Sequence, residues 1–304
     1  MTSVPYIPFA EGEAVLDWIG LTDALAEGHK QPKAEIGDTF LYRDPDTLLS
    51  RAAWIDGMGM AVKTATVFPG NPPTGTPMIN GGVSLYSDGD GTLQAIIDFH
   101  LVTKWKTAGD SLLAARRLAR PDSHKILIVG AGAVGRSLYD AYTAAFPEAQ
   151  FTVWNRTRAN AVAMAAKRPN LTVADDLEQA VRSADIITSA TMSTAPLIRG
   201  DWLQPGQHVD LIGAYRPDMR EVDDAALMAS RVFVDSFDTT IGHIGEIKIP
   251  LEAGRITRDH LVADYYDLDM FNRQPDDITL FKNGGGAHLD LMTSRYILDR
   301  WTTR

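Results

Sequence analysis

Residues 125–138 read Lys125-Ile-Leu-Ile-Val-Gly130-Ala-Gly132-Ala-Val-Gly135-Arg-Ser-Leu138. The apolar run that opens this stretch has the length of a strand, and the glycines that follow have G-x-G-x-x-G spacing before a helical pattern. The first glycine of such a turn allows a tight bend, the second lets a pyrophosphate approach the backbone, and the third lets the helix pack on the strand. A glycine-rich turn also occurs without any ligand, but this order of strand, turn and helix favours dinucleotide binding. The predicted contacts are Gly130, Gly132, Ala133, Val134 and Gly135.

After this turn the chain alternates between strand patterns and helix patterns, which is typical of a parallel sheet with crossover helices. The fold class predicted for this part is therefore α/β, a doubly wound parallel sheet of the Rossmann type. Ligands of such sheets bind at the carboxyl ends of the strands, so Ala190 and Thr191 are further cofactor candidates. The predicted strands cover 126–129, 151–154, 171–174, 185–190, 208–213, 231–235 and a segment from 278, and the predicted helices include 159–167, 177–183 and 246–253.

The N-terminal part has a different pattern, which predicts a β-rich α+β module. A helix is predicted at 13–27, strands at 47–55, 59–68, 82–87 and 92–98, and a long helix at 101–120 that leads into the dinucleotide-binding part. A last helix is predicted at 289–301.

Composition limits the possible partners. The chain has 304 residues, with 29 Lys+Arg against 39 Asp+Glu, a formal charge of −10 and no cysteine. An acidic chain without a basic block is a poor match for nucleic acid or for an anionic membrane, so small molecules are the expected partners. No signal peptide or long apolar run is present and the histidines lack metal-ligand spacing, so we expect a cytoplasmic protein without a bound metal.

The end of the second strand of the α/β part indicates which dinucleotide binds. An NAD site usually has Asp or Glu there to bind the ribose 2′-hydroxyl, whereas this chain has Asn155, Arg156, Thr157 and Arg158. Two arginines can pair with a 2′-phosphate, and the neighbouring polar residues can donate hydrogen bonds to it. The segment therefore favours NADP(H) over NAD(H). The alternative is that these are solvated residues at the start of a helix.

Three cations in the N-terminal part are candidate substrate ligands. Arg51 and Lys63 lie on successive predicted strands, and Lys106 lies in the first half of the long helix. Each of them, taken alone, is more often a surface charge.

Six segments considered together change this interpretation, because their order and spacing resemble the ornithine cyclodeaminase/μ-crystallin family over nearly the whole chain. The segments are Lys63-Thr-Ala-Thr-Val-Phe-Pro-Gly-Asn71, Lys106-Thr-Ala108 leading to Leu118-Ala-Arg-Pro-Asp122, Val129-Gly-Ala-Gly-Ala-Val-Gly135, Trp154-Asn-Arg-Thr157, Gly213-Ala-Tyr-Arg-Pro-Asp-Met-Arg-Glu-Val-Asp223 and Leu280-Phe-Lys-Asn-Gly-Gly285.

The resemblance implies a homodimer of two-domain chains. Residues 1–115 with 287–304 would form the substrate-binding and dimerisation domain, and residues 116–286 the Rossmann NADP(H)-binding domain. Arg51 and Lys63 match the residues that hold the α-carboxylate of the substrate. Lys106 stands where the family has an arginine, which keeps the charge but loses the bidentate fork. Thr107 would neighbour the nicotinamide, and Gly285 is a further predicted cofactor contact.

A second departure concerns the reaction. Cyclodeaminases of the family have an aspartate where this chain has Tyr215, so the resemblance is nearer to the ketimine reductases. It implies NADPH-dependent reduction of Δ1-pyrroline-2-carboxylate or Δ1-piperideine-2-carboxylate to L-proline or L-pipecolate, with the proton coming from Lys63, Tyr215 or a water. The alternatives are an amino-acid dehydrogenase or another imino-acid reductase, an ornithine cyclodeaminase, and a protein that binds NADPH and a small acid without turnover.

Overall fold

The computed structural model describes residues 4–303. The chain divides into two compact units, Met1–Lys106 with Gly286–Arg304, and Thr107–Gly285. The first division falls inside one continuous helix, Phe99–Leu118. The sequence pattern shows no break within this helix, which is why the predicted boundary at 115/116 differs from the division at 106/107. The predicted boundary at 286/287 lies one residue after the second division.

The first unit is built on a six-stranded sheet with the strand order β1-β6-β5-β4-β3-β2. Its pairs are antiparallel, except that β1 runs parallel to β6. The strands are β1 (Tyr6–Ile7), β2 (Glu35–Arg43), β3 (Asp46–Ile55), β4 (Gly59–Val67), β5 (Ile79–Tyr86) and β6 (Leu93–Asp98). The helices of its N-terminal part are α1 (Phe9–Glu13), α2 (Trp18–Gly28) and the start of α3 (Phe99–Leu118), and a 3-10 turn covers Pro72–Thr74.

Two features of this unit differ from the sequence prediction. The helix predicted at 13–27 is confirmed only from Trp18, where α2 begins, because α1 ends at Glu13 and the residues between the two helices are not helical. The Asp17 carboxylate accepts a 2.6 Å hydrogen bond from the Gly20 N–H, so it caps a new helix at that point. Strand β2 was not predicted, because the consecutive apolar residues Phe40, Leu41 and Tyr42 break the alternation of apolar and polar residues that marks a half-buried strand.

The second unit is an eight-stranded parallel sheet with the order β13-β12-β14-β11-β10-β7-β8-β9, which confirms the Rossmann-type α/β prediction. The strands are β7 (Lys125–Val129), β8 (Gln150–Trp154), β9 (Leu171–Val173), β10 (Ile186–Ser189), β11 (His208–Leu211), β12 (Arg231–Val234), β13 (Leu261–Ala263) and β14 (Thr279–Lys282). The helices are α4 (Ala133–Ala145), α5 (Arg158–Ala165), α6 (Leu177–Ser183), α7 (Asp224–Ala229), α8 (Phe237–Thr240) and α9 (Gly245–Glu252), and 3-10 turns cover Gly200–Trp202, Arg258–His260 and Tyr265–Met270.

The cores of the two units are formed by different elements. Strands of the parallel sheet contribute fully buried Val129, Ile187, Val209 and Leu280 to the second core. In the first unit the last helix, α10 (Ala287–Thr302), packs on α2, β3 and β4. Among residues 4–303, no helix combines the length and apolarity that crossing a bilayer requires.

Candidate active site

Three charged residues form one row across the sheet of the first unit. Arg51 on β3 pairs in register with Asp38 on β2 and with Lys63 on β4. Directly opposite residues of antiparallel strands place their side chains on the same face, so the three charges are neighbours. Sheet pairing therefore brings together the two predicted carboxylate ligands.

Lys63 is the buried member of this row, with 8% of its surface exposed. Its Nζ donates a 2.9 Å hydrogen bond to the Asp290 carboxylate of α10 and lies 4.9 Å from the centroid of the Phe99 ring. Burial lowers the pKa of Lys63, Asp290 opposes that shift, and Lys106 and Arg51 add to it. Lys63 is therefore a cation whose proton is held less tightly than that of an exposed lysine.

Lys106 adds a second buried cation, since it is also 8% exposed. Burial would raise the pKa of Asp290, but the charges of Lys63, Lys106 and Arg51 outweigh burial and hold this pKa below its usual value. Burial and then Lys106 lower the pKa of the fully buried His288 to about 3, so this imidazole is neutral. We call Arg51, Lys63 and Lys106 the cationic cluster. Asp38 and Asp290 leave it with excess positive charge, which suits a carboxylate ligand.

Arg51 already binds one carboxylate within the protein. Its Nε lies 3.1 Å from both oxygens of Asp38, and its Nη2 lies 3.0 Å from Oδ2. Both side chains are partly exposed, 26% for Arg51 and 29% for Asp38. A substrate carboxylate would thus share the guanidinium with Asp38 or displace it.

The glycine turn of the second unit has the geometry that the sequence predicts. Gly130 has φ +112° and donates a 2.8 Å hydrogen bond to the carbonyl of Trp154. A Cβ on Gly135 would lie 1.9 Å from the carbonyl oxygen of Gly130, so only glycine allows α4 to start this close to the strand. A Cβ on Gly132, the N-cap of α4, would meet nothing within 4 Å. Open space beside the free N–H groups at the start of α4 fits a pyrophosphate.

In the segment predicted to select the dinucleotide, the side chains of Asn155 and Arg158 already bind partners within the protein. Asn155 accepts a 3.0 Å hydrogen bond from the Ala131 N–H and donates a 2.9 Å one to the Thr157 carbonyl, so it ties the end of β8 to the glycine turn. Arg158 forms an exposed ion pair with Asp175. Arg156 is exposed.

The ends of β10 and β11 meet at a carboxylate that the sequence analysis did not identify. One oxygen of Glu221 accepts hydrogen bonds from Ser189 Oγ at 2.6 Å and from the N–H and Oγ1 of Thr191, each at 2.8 Å. The other oxygen accepts the N–H groups of Gly213 at 2.6 Å and Ala214 at 3.2 Å. Glu221 is fully buried. The signal in the sequence is its place within the segment Gly213–Asp223, one of the six that carry the family resemblance.

A second carboxylate supports the first. Glu246 on α9 accepts the backbone N–H groups of Glu221 at 2.7 Å and Val222 at 3.1 Å. Burial and the charge of Glu221 raise the pKa of Glu246 to about 7, and burial also raises the pKa of Glu221. The counter-charge is Lys282, which is fully buried and donates to the carbonyl of Leu211 at 2.9 Å.

Two further predicted cofactor residues are held by side chains. Asn283 donates a 3.0 Å hydrogen bond to the Thr107 carbonyl and another of 3.0 Å to Ser111 Oγ. Asp235 accepts the N–H groups of Gly284 at 3.0 Å and Gly285 at 2.5 Å, and Gly285 has φ +67°. The glycine and the threonine therefore have fixed backbones.

Tyr215 lies in the second unit, after β11, and is 57% exposed. The guanidinium carbon of Arg216 lies 5.7 Å from the centroid of its ring, and Arg216 itself pairs with Asp218 at 2.9 Å. Among residues 4–303, no group of three or more His, Asp or Glu side chains is arranged to hold a metal ion.

Comparison with known proteins gives concordant matches. The sequence model of the ornithine cyclodeaminase/mu-crystallin family matches residues 53–304. The chain is 46% identical over 301 residues to the Δ1-pyrroline-2-carboxylate reductase of Paracoccus denitrificans, covering 96% of this chain and 95% of that protein. It is 30% identical over 250 residues to the ketimine reductase mu-crystallin of Mus musculus, covering 80% of this chain and 77% of that protein.

A solved structure resembles the whole chain. Thermococcus litoralis Δ1-pyrroline-2-carboxylate reductase in complex with NADH and L-proline superposes with a TM-score of 0.89, covering 98% of this chain and 97% of that one. The two sequences are 22% identical, so this likeness concerns the fold.

Proposed function

Because the chain belongs to the ornithine cyclodeaminase/mu-crystallin family, we propose that it reduces a cyclic imine whose double bond adjoins a carboxylate. It is an oxidoreductase that acts on carbon–nitrogen double bonds with a nicotinamide cofactor. The substrates we propose are Δ1-pyrroline-2-carboxylate, which gives L-proline, and Δ1-piperideine-2-carboxylate, which gives L-pipecolate. A relative named as a Δ1-pyrroline-2-carboxylate reductase, 46% identical, and one named as a ketimine reductase, 30% identical, support an imine as the substrate.

The observation that carries the proposal is the cationic cluster. Two buried lysines lie beside the buried carboxylate of Asp290, and Arg51, which is paired with Asp38, adds a third positive charge. Burying an excess of positive charge is costly unless an anion completes the site. A substrate carboxylate supplies that anion. Arg51 would bind it through the guanidinium edge, while Lys63 and Lys106 would contribute ammonium donors.

Binding the carboxylate also fixes the reacting carbon. In a five- or six-membered imine acid the C=N carbon is bonded directly to the carboxylate, so a ligand held at that end presents its double bond in one orientation. Orientation of this kind makes hydride addition nearly unimolecular. When bound, the reduced nicotinamide supplies the hydride that adds to this carbon, and a proton on the ring nitrogen completes the amine.

We propose that Lys63 keeps this nitrogen protonated. Its pKa is lowered by burial, which makes it a better proton donor near neutral pH than an exposed lysine. Tyr215, the second candidate, is 57% exposed and packs beside the guanidinium of Arg216. We therefore expect Tyr215→Phe to retain most of the wild-type kcat.

We propose NADPH as the preferred cofactor. The end of β8 offers Arg156 and no acid at residues 155–158, so nothing there repels a 2′-phosphate. The pairing of Arg158 with Asp175 makes Arg156 the principal cation for that phosphate.

We also propose that the chain works as a homodimer. Strand β2 exposes large apolar side chains, with Phe40 48%, Leu41 62% and Tyr42 76% exposed. Apolar residues clustered on an exposed edge strand are typical of a surface that another chain covers. Sedimentation equilibrium measures the mass directly, and a monomer at micromolar concentration would contradict this proposal.

The test of the activity is an assay of purified protein with NADPH and each cyclic imine. We expect oxidation of NADPH with at least one of them, and no oxidation with either would refute the proposal. If NADPH is oxidised with pyruvate only when ammonia is present, the chain is an amino-acid dehydrogenase instead.

Arg51→Ala should raise KM for the imine by about tenfold or more, because one donor pair to the carboxylate is lost. Arg43→Ala, on β2 and paired with Asp46, is the matched control and should leave KM unchanged.

A further inference from the structure

Glu221 has more hydrogen-bond donors than a neutral side chain could satisfy. Five donors converge on its two oxygens, and three of them are backbone N–H groups that cannot turn away. Backbone N–H groups reach both oxygens and can only donate, so both oxygens must act as acceptors. A side chain with an amide NH2 in place of either oxygen could not satisfy this set.

The donors come from two different loops. Ser189 and Thr191 belong to the end of β10, whereas Gly213 and Ala214 follow β11. The loops also touch directly, since a Cβ on Gly213 would lie 1.9 Å from the carbonyl oxygen of Thr191. Glu221 thus holds the two loops together by hydrogen bonds, and the close contact between Gly213 and Thr191 prevents the loops from moving closer.

The backbone of Glu221 is itself fixed by a second buried acid, Glu246. Glu246 accepts the N–H of Glu221, and Lys282, on the strand next to β11, supplies the positive charge that both acids share. Glu221, Glu246 and Lys282 all have 0% exposure. Buried ionisable groups are costly unless they are hydrogen-bonded, and each of these three has such partners in the protein, so the set is rigidly held.

The loops that it holds lie where a parallel sheet of this type receives its ligand. Crevices at the carboxyl ends of neighbouring strands bind the cofactor in doubly wound sheets. The glycine turn after β7 takes the pyrophosphate, and β10 and β11 come next in the strand order. The nicotinamide half of a dinucleotide therefore meets the loops after β10 and β11.

We propose that Glu221 is a positioning residue that fixes the backbones of Thr191 and Ala214 as the seat of the nicotinamide ring. This inference rests on the proposed function for its ligand, a nicotinamide dinucleotide, and adds a role for a side chain that touches neither cofactor nor substrate. Different residues therefore affect the binding of the two halves of the cofactor. Glu221 affects the nicotinamide half, whereas the glycine turn and Arg156 affect the ADP-ribose half.

Truncated ligands test this separation. Isothermal titration calorimetry of the full-length chain would give Kd for NADPH and for 2′-phospho-ADP-ribose, which lacks the nicotinamide. NADH and ADP-ribose form a second such pair, without the 2′-phosphate. In Glu221→Gln an amide NH2 replaces one acceptor oxygen and faces backbone N–H donors. We expect Kd for NADPH to rise about tenfold while Kd for 2′-phospho-ADP-ribose stays within twofold. Glu178→Gln, an exposed acid on α6 paired with Arg182, is the matched control and should change neither value.

The outcomes separate the alternatives. Equal weakening of both ligands means that Glu221 only stabilises the fold, and an unchanged Kd for NADPH means that it positions nothing; either result overturns the inference. A wild-type chain that binds NADPH but reduces no imine refutes the proposed activity and leaves the role of Glu221 standing. A wild-type chain that binds no dinucleotide refutes both. If Glu221→Gln does not fold, Glu221→Asp, which keeps the charge on a shorter stem, should show the same selective loss to a smaller extent.

Discussion

The Lys63 ammonium donates a 2.9 Å hydrogen bond to the Asp290 carboxylate, and the two residues lie 227 positions apart in the chain. The pair joins β4 to the last helix, and the charge of Asp290 opposes the lowering of the Lys63 pKa by burial. It therefore holds a strand to a helix and also keeps the proton on Lys63 that the proposed reaction uses.

Replacing Asp290 with asparagine tests both roles. Loss of one partner leaves a buried cation without its counter-charge, which typically costs about 3–5 kcal/mol of unfolding free energy. The pKa of Lys63 should fall further, so the decline of kcat on the alkaline side should move to lower pH. Denaturant unfolding and a pH–rate profile measure the two effects. Asp299→Asn on the same helix is the control, and a profile that shifts equally in both variants would exclude Asp290 as the cause.

Asp38 is paired with Arg51, so in the proposed site it would compete with the substrate carboxylate for the guanidinium. In Asp38→Asn the guanidinium loses its charged partner, so we expect KM for the imine acid to fall a few-fold with kcat unchanged. Asp46→Asn removes the partner of Arg43 on the same sheet and should have no effect. An increase in KM would show that Asp38 instead orients Arg51 for binding.

The two arginines after β8 should differ in their effect on cofactor choice. Arg156→Ala should lower kcat/KM for NADPH about tenfold or more and leave the value for NADH nearly unchanged, because only NADPH has the 2′-phosphate. Arg158→Ala should have the smaller effect, since Asp175 already binds Arg158. Steady-state kinetics with both cofactors decides the matter, and equal effects on NADH would place Arg156 outside the 2′-phosphate site.

Glu246 should make the stability of the protein depend on pH. Its pKa rises from 4.5 to about 7 on folding, so between these values the folded state binds a proton that the unfolded state lacks. This contribution is complete below pH 4.5 and is lost as the pH rises through 7. Glu246→Gln cannot titrate, so its unfolding free energy should fall less steeply over this range, although its overall stability is lower because an amide NH2 meets a backbone N–H. Urea unfolding at several pH values measures both slopes, and parallel slopes would contradict the assignment.

The parallel sheet could be predicted from the sequence because its strands are buried on both faces and appear as short apolar runs. Two glycines of the turn after β7, Gly130 and Gly135, could be predicted because other residues would be sterically excluded there. Helix α6 begins and ends at the residues predicted, Leu177 and Ser183, where an acidic cap precedes a short amphipathic run. β2 could not be predicted in this way. Its residues are exposed in the single chain, and Phe40, Leu41 and Tyr42 follow one another, so the sequence shows no period of two.

The candidate site was only partly accessible to sequence reasoning. Arg51 and Lys63 were singled out, and their registry on β3 and β4 agrees with a common role. The carboxylates of Glu221, Glu246 and Asp290 were missed, because the sequence shows that a residue is acidic but not that it is buried. The ion pair between Arg158 and Asp175 was missed for a related reason, since it joins the start of α5 to the residues after β9.

Lys106 and Thr107 are consecutive residues of α3, and they carry the proposed contacts to two different small molecules. Successive residues of a helix differ in direction by about 100°, so an insertion or deletion upstream in α3 would swing both side chains together. An insertion or deletion in that helix that made room for a bulkier acid would therefore also disturb the proposed contact between Thr107 and the dinucleotide. New specificities should arise instead from point substitutions, such as the lysine at 106, which alter one contact and preserve the helical phase.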